Sequence, residues 1–204
     1  MFTGLIETVG RVERVSDVAG VRRLRVAAPA DFTRQLRIGD SVAVSGVCLT
    51  AERVDDGAFE ATAVGETLAR TTLGRLAAGD PVNLETPVTT ARVFGGHIVQ
   101  GHVDGVGRVA VWEHDDNGGT LRVALPPNVY ELCVEKGSIA IDGISLTIAA
   151  LCGDDEIAVA IVPHTVAATT IEGYASGTRV NIEADVIAKY VHEFVRRMQT
   201  APLK

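Results

Sequence analysis

The sequence predicts an all-β protein of two tandem, pseudo-symmetric barrels, each built from six antiparallel strands in Greek-key order, with one α-helix at the C-terminus. Three observations predict this fold: the chain repeats itself once, apolar and polar residues alternate within each copy, and helical spacing is confined to the end of the chain. The boundaries that follow are 1–97 for the first barrel, 98–185 for the second, and 186–204 for the helix and its tail.

The duplication is visible in three pairs of matching segments. They are GLIETVGRV (4–12) with GHVDGVGRV (101–109), GVCLT (46–50) with GISLT (143–147), and TLARTTLGRLAAGDPVNLE (67–85) with TVAATTIEGYASGTRVNIE (165–183). Seventeen of these 33 positions are identical, whereas ordinary residue frequencies would give about two matches by chance. The offset stays at 97 or 98 residues, so the pattern indicates one duplicated domain rather than a solenoid of short repeats.

Near-alternation of apolar and polar residues predicts about six short strands in each copy. In the first copy the alternating segments are 21–26, 41–45, 58–64 and 82–85. Turn sequences occur at 55–57 and 78–80 in the first copy and at 115–119 in the second. No long helical pattern separates the strands, which disfavours a parallel α/β sheet, and closing an antiparallel barrel removes the exposed strand edges. Short helical turns are expected at 30–36, 66–72 and 126–133.

Apolar residues after Asp185 recur at helical spacing and predict one helix of roughly four turns. They are Val186, Ile187, Tyr190, Val191, Phe194, Val195 and Met198. The first copy has no counterpart, since Pro87 and the segment 88–96 lead straight into the second copy. Such a helix buries its apolar stripe either on its own barrels or against the same helix of other subunits, and the pattern alone leaves both open.

Composition excludes several classes of partner and location. With 26 acidic and 19 basic residues the net charge is −7, and the basic residues are scattered, so we expect no nucleic-acid partner. The N-terminus carries Glu7 and no long apolar run, and no segment is apolar enough to span a membrane, so we expect neither export nor membrane insertion. The three cysteines form no C-x-x-C pair, which suits a reducing compartment. These features predict a cytoplasmic protein.

Positions at which the two copies differ within matching motifs identify candidate functional residues. The diverged pairs are Cys48 with Ser145, Leu5 with His102, Glu66 with His164, and Pro87 with Asp185. Hydroxyl groups are kept in both copies at Thr50 and Thr147, and at Thr67 and Thr165. We interpret this pattern as two similar pockets with different chemical groups.

Structural explanations compete with each of these assignments. Cys48 is at an apolar strand position where a cysteine often serves only for packing, His102 could cap a main-chain group, and Asp185 suits the N-cap of the last helix. His97 and His102 lack the i, i+4 spacing of a helical zinc site, so no metal site is predicted. Phosphate-loop, hydrolase-elbow and dinucleotide motifs do not occur.

Five strings together closely resemble the riboflavin synthase family, in the right order over residues 1–198: MFTGLIE (1–7), GVCLT (46–50), GGHIVQGHVDGVG (95–107), KGSIAIDGISLT (136–147) and VNIEAD (180–185). The resemblance implies a homotrimer of two-barrel chains that dismutates 6,7-dimethyl-8-ribityllumazine. One molecule passes a four-carbon unit to the other, which gives riboflavin and 5-amino-6-(ribitylamino)uracil. It implies no cofactor, and it suggests an association with lumazine synthase. The alternative is a non-catalytic lumazine- or flavin-binding protein of the same fold, as in bioluminescent bacteria.

The resemblance also implies substrate-binding residues for each barrel. The first pocket would use Phe2, Gly4, Leu5, Ile6, Cys48, Leu49, Thr50, Thr62, Ala63, Val64, Gly65, Glu66 and Thr67. The second would use Gly101, His102, Val103, Lys136, Ser145, Leu146, Thr147, Ala160, Ile161, Val162, Pro163, His164 and Thr165. In the family, the first barrel of one subunit meets the second barrel of a neighbour, and the C-terminal helices bundle together, which favours the oligomeric use of the helix.

The catalytic set that we predict is Cys48, His102, Ser145, Thr147 and Asp185. We expect His102 and Ser145 with Asp185 to transfer a proton or orient water, and Cys48 to activate or add to the acceptor ring. A free thiol has a pKa near 8.5 and needs help to react as thiolate. Two residues depart from the family pattern: His164 stands where glutamate is usual, and Gln100 where serine is common.

Overall fold

The computed structural model of the chain describes residues 1–90 and 93–200. Residues 91–92 of the segment between the copies and 201–204 of the expected tail lie outside the described residues. Six strands form the first barrel: β1 (Thr8–Val18), β2 (Val21–Ala27), β3 (Ser41–Val44), β4 (Val47–Asp55), β5 (Ala58–Ala63) and β6 (Pro81–Glu85). They pair antiparallel in the order β1-β2-β5-β4-β3-β6, and β6 closes on β1.

The second barrel repeats this topology. Its strands are β7 (Gly105–Asp115), β8 (Gly118–Ala124), β9 (Ser138–Ile141), β10 (Ile144–Gly153), β11 (Glu156–Ile161) and β12 (Arg179–Ala184). The order β10-β11-β8-β7-β12-β9 is the cyclic equivalent of the first barrel. The predicted fold of two closed six-stranded antiparallel barrels is therefore confirmed.

Short helices connect the strands at matching places in both copies. They are α1 (Ala30–Thr33), α2 (Gly65–Arg70), α3 (Pro127–Tyr130) and α4 (Pro163–Ala168), with 3₁₀ turns at Thr72–Arg75 and Thr170–Gly173. The longer helix α5 (Val186–Thr200) follows the second barrel and has no counterpart in the first copy. The expected turns near 30–36, 66–72 and 126–133 and the C-terminal helix are confirmed. Helix α4 was not anticipated, because its sequence PHTVAA has no polar face to give it a periodic pattern. Among the described residues, no helix is long and apolar enough to cross a membrane.

Each barrel encloses its own apolar core, because alternate residues of every strand point inward. The first core contains the fully buried Leu24, Phe59 and Leu84, and the second contains Leu121 and Ile182 among others. Polar residues that alternate with them face outward. Polar side chains are therefore available to bind a ligand on the outer surface of each barrel.

The barrels pack on each other through a pseudo-twofold exchange of hydrogen bonds. Buried Asn83 of β6 donates to the Asp142 carbonyl (3.0 Å) and accepts from the main-chain N–H of Thr170 (2.9 Å). Its counterpart Asn181 of β12 donates to the Ser45 carbonyl (2.8 Å) and accepts from the N–H of Thr72 (2.7 Å). The duplicated V-N-[LI]-E motif therefore fixes how the two barrels sit against each other.

Asp142 breaks the symmetry of this contact, because the first copy has Ser45 in its place. Its carboxylate accepts from Tyr174 Oη (2.7 Å) and from the Asn181 N–H (2.7 Å), and burial raises its pKa to about 6. A carboxyl group with a raised pKa in the folded state stabilises the fold when protonated and loses that contribution as the pH rises through the folded pKa.

We therefore expect the stability of the wild type relative to Asp142→Asn to fall between about pH 4 and pH 6 and to level off above it. Urea unfolding of both proteins across this range measures the difference. The comparison with Asp142→Asn cancels the contribution of other carboxyl groups, such as Glu183, whose pKa burial also raises. A pH-independent difference would show that Asp142 does not titrate in this range.

Candidate functional site

Two polar patches lie on the outer walls of the barrels, one in each copy. On β4, Cys48 and Thr50 face outward on either side of the buried Leu49. On β10, Ser145 and Thr147 do the same around Leu146. We call the patch around Cys48 and Thr50 the first site and that around Ser145 and Thr147 the second site. Each is open to solvent, since both threonines are exposed.

The segment that precedes the first strand of each barrel contacts the site on the opposite barrel. The Cys48 N–H donates to the Gly101 carbonyl (3.0 Å), and the Ser145 N–H donates to the Gly4 carbonyl (2.8 Å). Ile6 accordingly packs against the core of the second barrel and Val103 against the core of the first. The two flanking segments are therefore exchanged between the copies.

This exchange corrects the predicted pockets. The family resemblance implies that residues 4–6 lie with Cys48 and residues 101–103 with Ser145. In the structure, 101–103 borders the first site and 4–6 borders the second. The reason is the short antiparallel contact between Phe2 and Val99, which carries each segment across to the opposite barrel.

Two buried carboxylates hold these segments in place. Glu85 accepts from the N–H groups of Thr3 (2.7 Å) and Gly4 (3.0 Å). Its counterpart Glu183 accepts from the N–H groups of Gln100 (2.7 Å) and Gly101 (2.9 Å). Gln100 donates to Glu183 through its main-chain N–H. A serine at this position could therefore form the same hydrogen bond as the glutamine does. Sequence reasoning did not identify either glutamate as a site residue, because its role depends on main-chain N–H groups that lie 82 and 83 positions away in the chain.

Glycine is required where each segment touches its site. Gly4 and Gly101 have φ angles of +76° and +79°. A Cβ on Gly4 would lie 2.6 Å from the Ser145 Cβ, and one on Gly101 would lie 2.5 Å from the Cys48 Cβ. Both the positive φ and the close approach exclude a side chain. The main chain of Gly101 therefore lies directly against Cys48, and that of Gly4 against Ser145.

The second site contains a histidine that the sequence analysis set aside. His97 Nδ1 lies 2.7 Å from Ser145 Oγ. The ring is buried, burial lowers its pKa, and its Nε2 has no hydrogen-bond partner among the described residues. A largely neutral imidazole in contact with a hydroxyl can accept or return a proton. The comparison of copies could not identify His97, because it precedes the second copy and has no counterpart in the first.

Within one chain, the predicted grouping of His102 and Ser145 with Asp185 is found only in part. His102 follows Gly101 and is exposed on the side of Cys48, whereas Ser145 pairs with His97. Asp185 Oδ1 accepts from the Ile187 N–H (2.9 Å) and so caps the start of α5. Its charge also acts on His97 of the second site, because it raises the pKa that burial lowers. In this chain Cys48 and His102 border the first site, and Ser145 and His97 the second.

Phe2 and Lys136 support the sites in different ways. Phe2 is fully buried between the barrels and packs against Cys48, so it can position the thiol but presents no surface to a ligand. The exposed Lys136 has a φ of +64° at the position that Gly39 occupies in the first copy, with a φ of +93°. A lysine in this strained conformation, which costs about 1–2 kcal/mol, is a reason to suspect function.

The remaining predicted residues lie along the edge of each site. Residues 62–67 run from β5 into α2, and 160–165 run from β11 into α4. Thr62 donates to Glu52 (2.9 Å), and Glu66 pairs with Arg70. His164 is exposed at the start of α4. Within 1–90 and 93–200, no group of three or more His, Cys, Asp or Glu residues is placed to hold a metal ion.

Comparisons with known proteins agree with this architecture. The family model described as the lumazine binding domain matches residues 3–87 and again 100–185. Riboflavin synthases are similar over nearly the whole chain: that of Mycobacterium bovis is 43% identical over 96% of this chain and 98% of its own length, and that of Bacillus subtilis is 35% identical over 97% and 91%.

Solved structures match in fold. LumP complexed with riboflavin superposes with a TM-score of 0.85 at 23% identity, over 90% of this chain and 99% of that one. LumP complexed with 6,7-dimethyl-8-(1'-D-ribityl) lumazine superposes with a TM-score of 0.81 at 22% identity and the same coverage.

Proposed function

This chain belongs to the riboflavin synthase family, and from that premise we propose that its two sites bind two molecules of 6,7-dimethyl-8-ribityllumazine in unequal roles. One molecule donates a four-carbon unit and the other accepts it. The products are riboflavin and 5-amino-6-(ribitylamino)uracil. The reaction moves carbon between two copies of one substrate, so it needs no external oxidant or group donor.

The observation that carries this proposal is the pair of similar scaffolds with different reactive groups. Both sites have an outward threonine, a main-chain glycine contact and a buried glutamate that holds the flanking segment. The first site adds Cys48 and His102, and the second adds Ser145 and His97. Identical substrates can be bound in the same way by such scaffolds and still be treated differently.

The chemistry asks little of the protein beyond positioning and proton transfer. The 7-methyl group of a lumazine is acidic because the ring delocalises the carbanion. A base of modest strength can therefore start the reaction, and holding two rings together supplies much of the acceleration. The Ser145–His97 pair suits proton transfer at one ring. The Cys48 thiol suits activation of the other, and His102 lies on the segment whose Gly101 carbonyl contacts Cys48.

We infer that the association of subunits brings a first site next to a second site. Within one chain, Cys48 and Ser145 are half-buried residues on the outer walls of different barrels. The helix α5 exposes its apolar residues, with Tyr190 at 74% and Phe194 at 69% of full exposure. The stripe is therefore not covered by its own barrels in this structure, and a bundle of helices from several subunits would cover it. We infer a homotrimer in the cytoplasm. Association with lumazine synthase stays a prediction.

The function is tested by incubating the purified protein with 6,7-dimethyl-8-ribityllumazine alone. We expect one riboflavin and one pyrimidinedione for every two lumazines consumed, without added metal or nucleotide. Chromatography quantifies all three compounds. Tight binding without turnover would instead assign the chain to the non-catalytic binding proteins of the same fold.

Cys48→Ser and His102→Gln should each lower kcat more than they weaken lumazine binding. Loss of a positioned acid–base or nucleophilic group typically costs about 100-fold or more in rate, while shape and hydrogen bonding at the site are kept. Steady-state kinetics with fluorescence titration of lumazine separates the two effects. Cys152→Ser makes the same change at an exposed cysteine outside both sites, and as the control it should change neither quantity strongly. Equal losses in kcat and affinity would reduce both residues to a binding role.

A further inference from the structure

A second concave surface lies between the barrels, near the contact made by Asn83 and Asn181. This inter-barrel cleft has a volume of about 270 Å³ and takes six lining residues from each copy. Those that matter here are Arg75, Asp80, Tyr174, Thr178 and Arg179. Neither Cys48 nor Ser145 lines it, so the cleft is distinct from both lumazine sites.

Two unpaired cations line this cleft. Among residues 1–90 and 93–200, neither Arg75 nor Arg179 makes an ion pair or a side-chain hydrogen bond, whereas Arg22, Arg25 and Arg122 all do. The exposed Arg37 and Arg53 also lack such partners among the described residues, so what distinguishes Arg75 and Arg179 is that they come from different copies and line one cleft. Guanidinium is the side chain best suited to bind phosphate, because its N–H groups match two oxygens at once.

The two carboxylates of the cleft accept hydrogen bonds from neighbouring groups and, in the described part of the chain, form no ion pair with either arginine. Asp142 is buried, and its two oxygens accept from Tyr174 and Asn181. Asp80 accepts the Ala77 N–H (2.8 Å) and keeps lone pairs for a further donor. Thr178 Oγ1 accepts from the Ala175 N–H (3.0 Å), which leaves its hydroxyl proton free to donate. The cleft therefore offers two cations for an anion and an acceptor for hydroxyl groups.

The cationic residues are not by-products of the duplication. Arg75 corresponds to Gly173 in the second copy, Arg179 to Pro81 in the first, and Tyr174 to Leu76. Each copy contributes one arginine from a different position, and both come to the same cleft. At the lumazine sites, divergence between matching positions identified the reactive residues, and the same kind of divergence occurs here.

We propose that the inter-barrel cleft binds a small organic phosphate with a hydroxylated tail, of about the size of a sugar phosphate. Arg75 and Arg179 bind the phosphate, and Asp80 and Thr178 bind hydroxyl groups. The volume is just below the roughly 300–1,000 Å³ of typical drug-sized pockets, which limits the ligand to a small molecule. This site is independent of the lumazine reaction.

Calorimetric titration with ribose 5-phosphate tests the proposal, with ribose and inorganic phosphate as comparison ligands. We expect saturable binding of ribose 5-phosphate, weaker binding of inorganic phosphate and none of ribose. Arg75→Gln with Arg179→Gln should weaken binding by roughly tenfold or more. Arg37→Gln with Arg53→Gln removes the same charge from exposed positions outside the cleft and should change affinity by less than about twofold. The two single variants keep the test valid if the double variant folds poorly.

Several outcomes would overturn the proposal. They are an absence of saturable binding, inorganic phosphate binding as tightly as ribose 5-phosphate, and an equal loss in the control variant. Competition between ribose 5-phosphate and lumazine would also overturn it, because the ligand would then occupy a lumazine site. The titration measures binding and not turnover, so its failure leaves the proposed enzymatic function untouched.

Discussion

Gly101→Ala is expected to reduce riboflavin formation by about 100-fold or more, because misplacing reacting groups by about 1 Å has effects of that size. The new Cβ would lie 2.5 Å from the Cys48 Cβ and 2.7 Å from its main-chain nitrogen. Neither atom belongs to a flexible side-chain end, so the segment that carries His102 must move away from Cys48. Steady-state kinetics on the purified variant measures the loss.

Gly153→Ala is the matched control for this substitution. Gly153 has a φ of +78°, nearly that of Gly101, but nothing lies within 4 Å of a Cβ placed there. Both variants therefore incur the same conformational strain, about 1–2 kcal/mol, which thermal unfolding can compare. Only Gly101→Ala should lose activity. Equal activities in the two variants would show that the contact between Gly101 and Cys48 does not matter for catalysis.

Tyr190→Glu with Phe194→Glu is expected to abolish turnover while leaving the barrels folded. Both side chains are exposed on α5, away from either barrel core, so the charges do not disturb the fold of the chain. They would prevent the apolar stripes of neighbouring helices from packing. Without association the first and second sites stay apart, and we expect a loss of about 100-fold or more.

Analytical ultracentrifugation and activity assays on the same sample test this expectation. Val18→Glu with Ile38→Glu makes the same chemical change at exposed apolar positions on the first barrel and should affect neither association nor turnover. A fully active monomer of the α5 variant would contradict the inferred role of the helix.

The fold could be predicted from the sequence because its two main signals are local or internal to the chain. Strand alternation needs only neighbouring residues, and the duplication needs only self-comparison. The exchange of segments between barrels could not be predicted in this way. It depends on the contact between Phe2 and Val99, which are far apart in sequence and have no alternating pattern around them.

Some site residues could be predicted from the sequence and others could not. Cys48 and Ser145 were found because they differ between otherwise matching motifs. Glu85 and Glu183 were missed because their importance appears only with the distant main-chain N–H groups that they accept from. His97 was missed because the duplication gives it no counterpart.

The central claim is that turnover needs one first site and one second site, brought together from different chains. The most direct test mixes Cys48→Ser, which has an intact second site, with Ser145→Ala, which has an intact first site, under conditions that exchange subunits. If the inferred trimer pairs sites across subunits, random assembly restores about a quarter of wild-type activity from two variants that are nearly inactive alone. Mixed trimers with no more activity than the separate variants would contradict the claim.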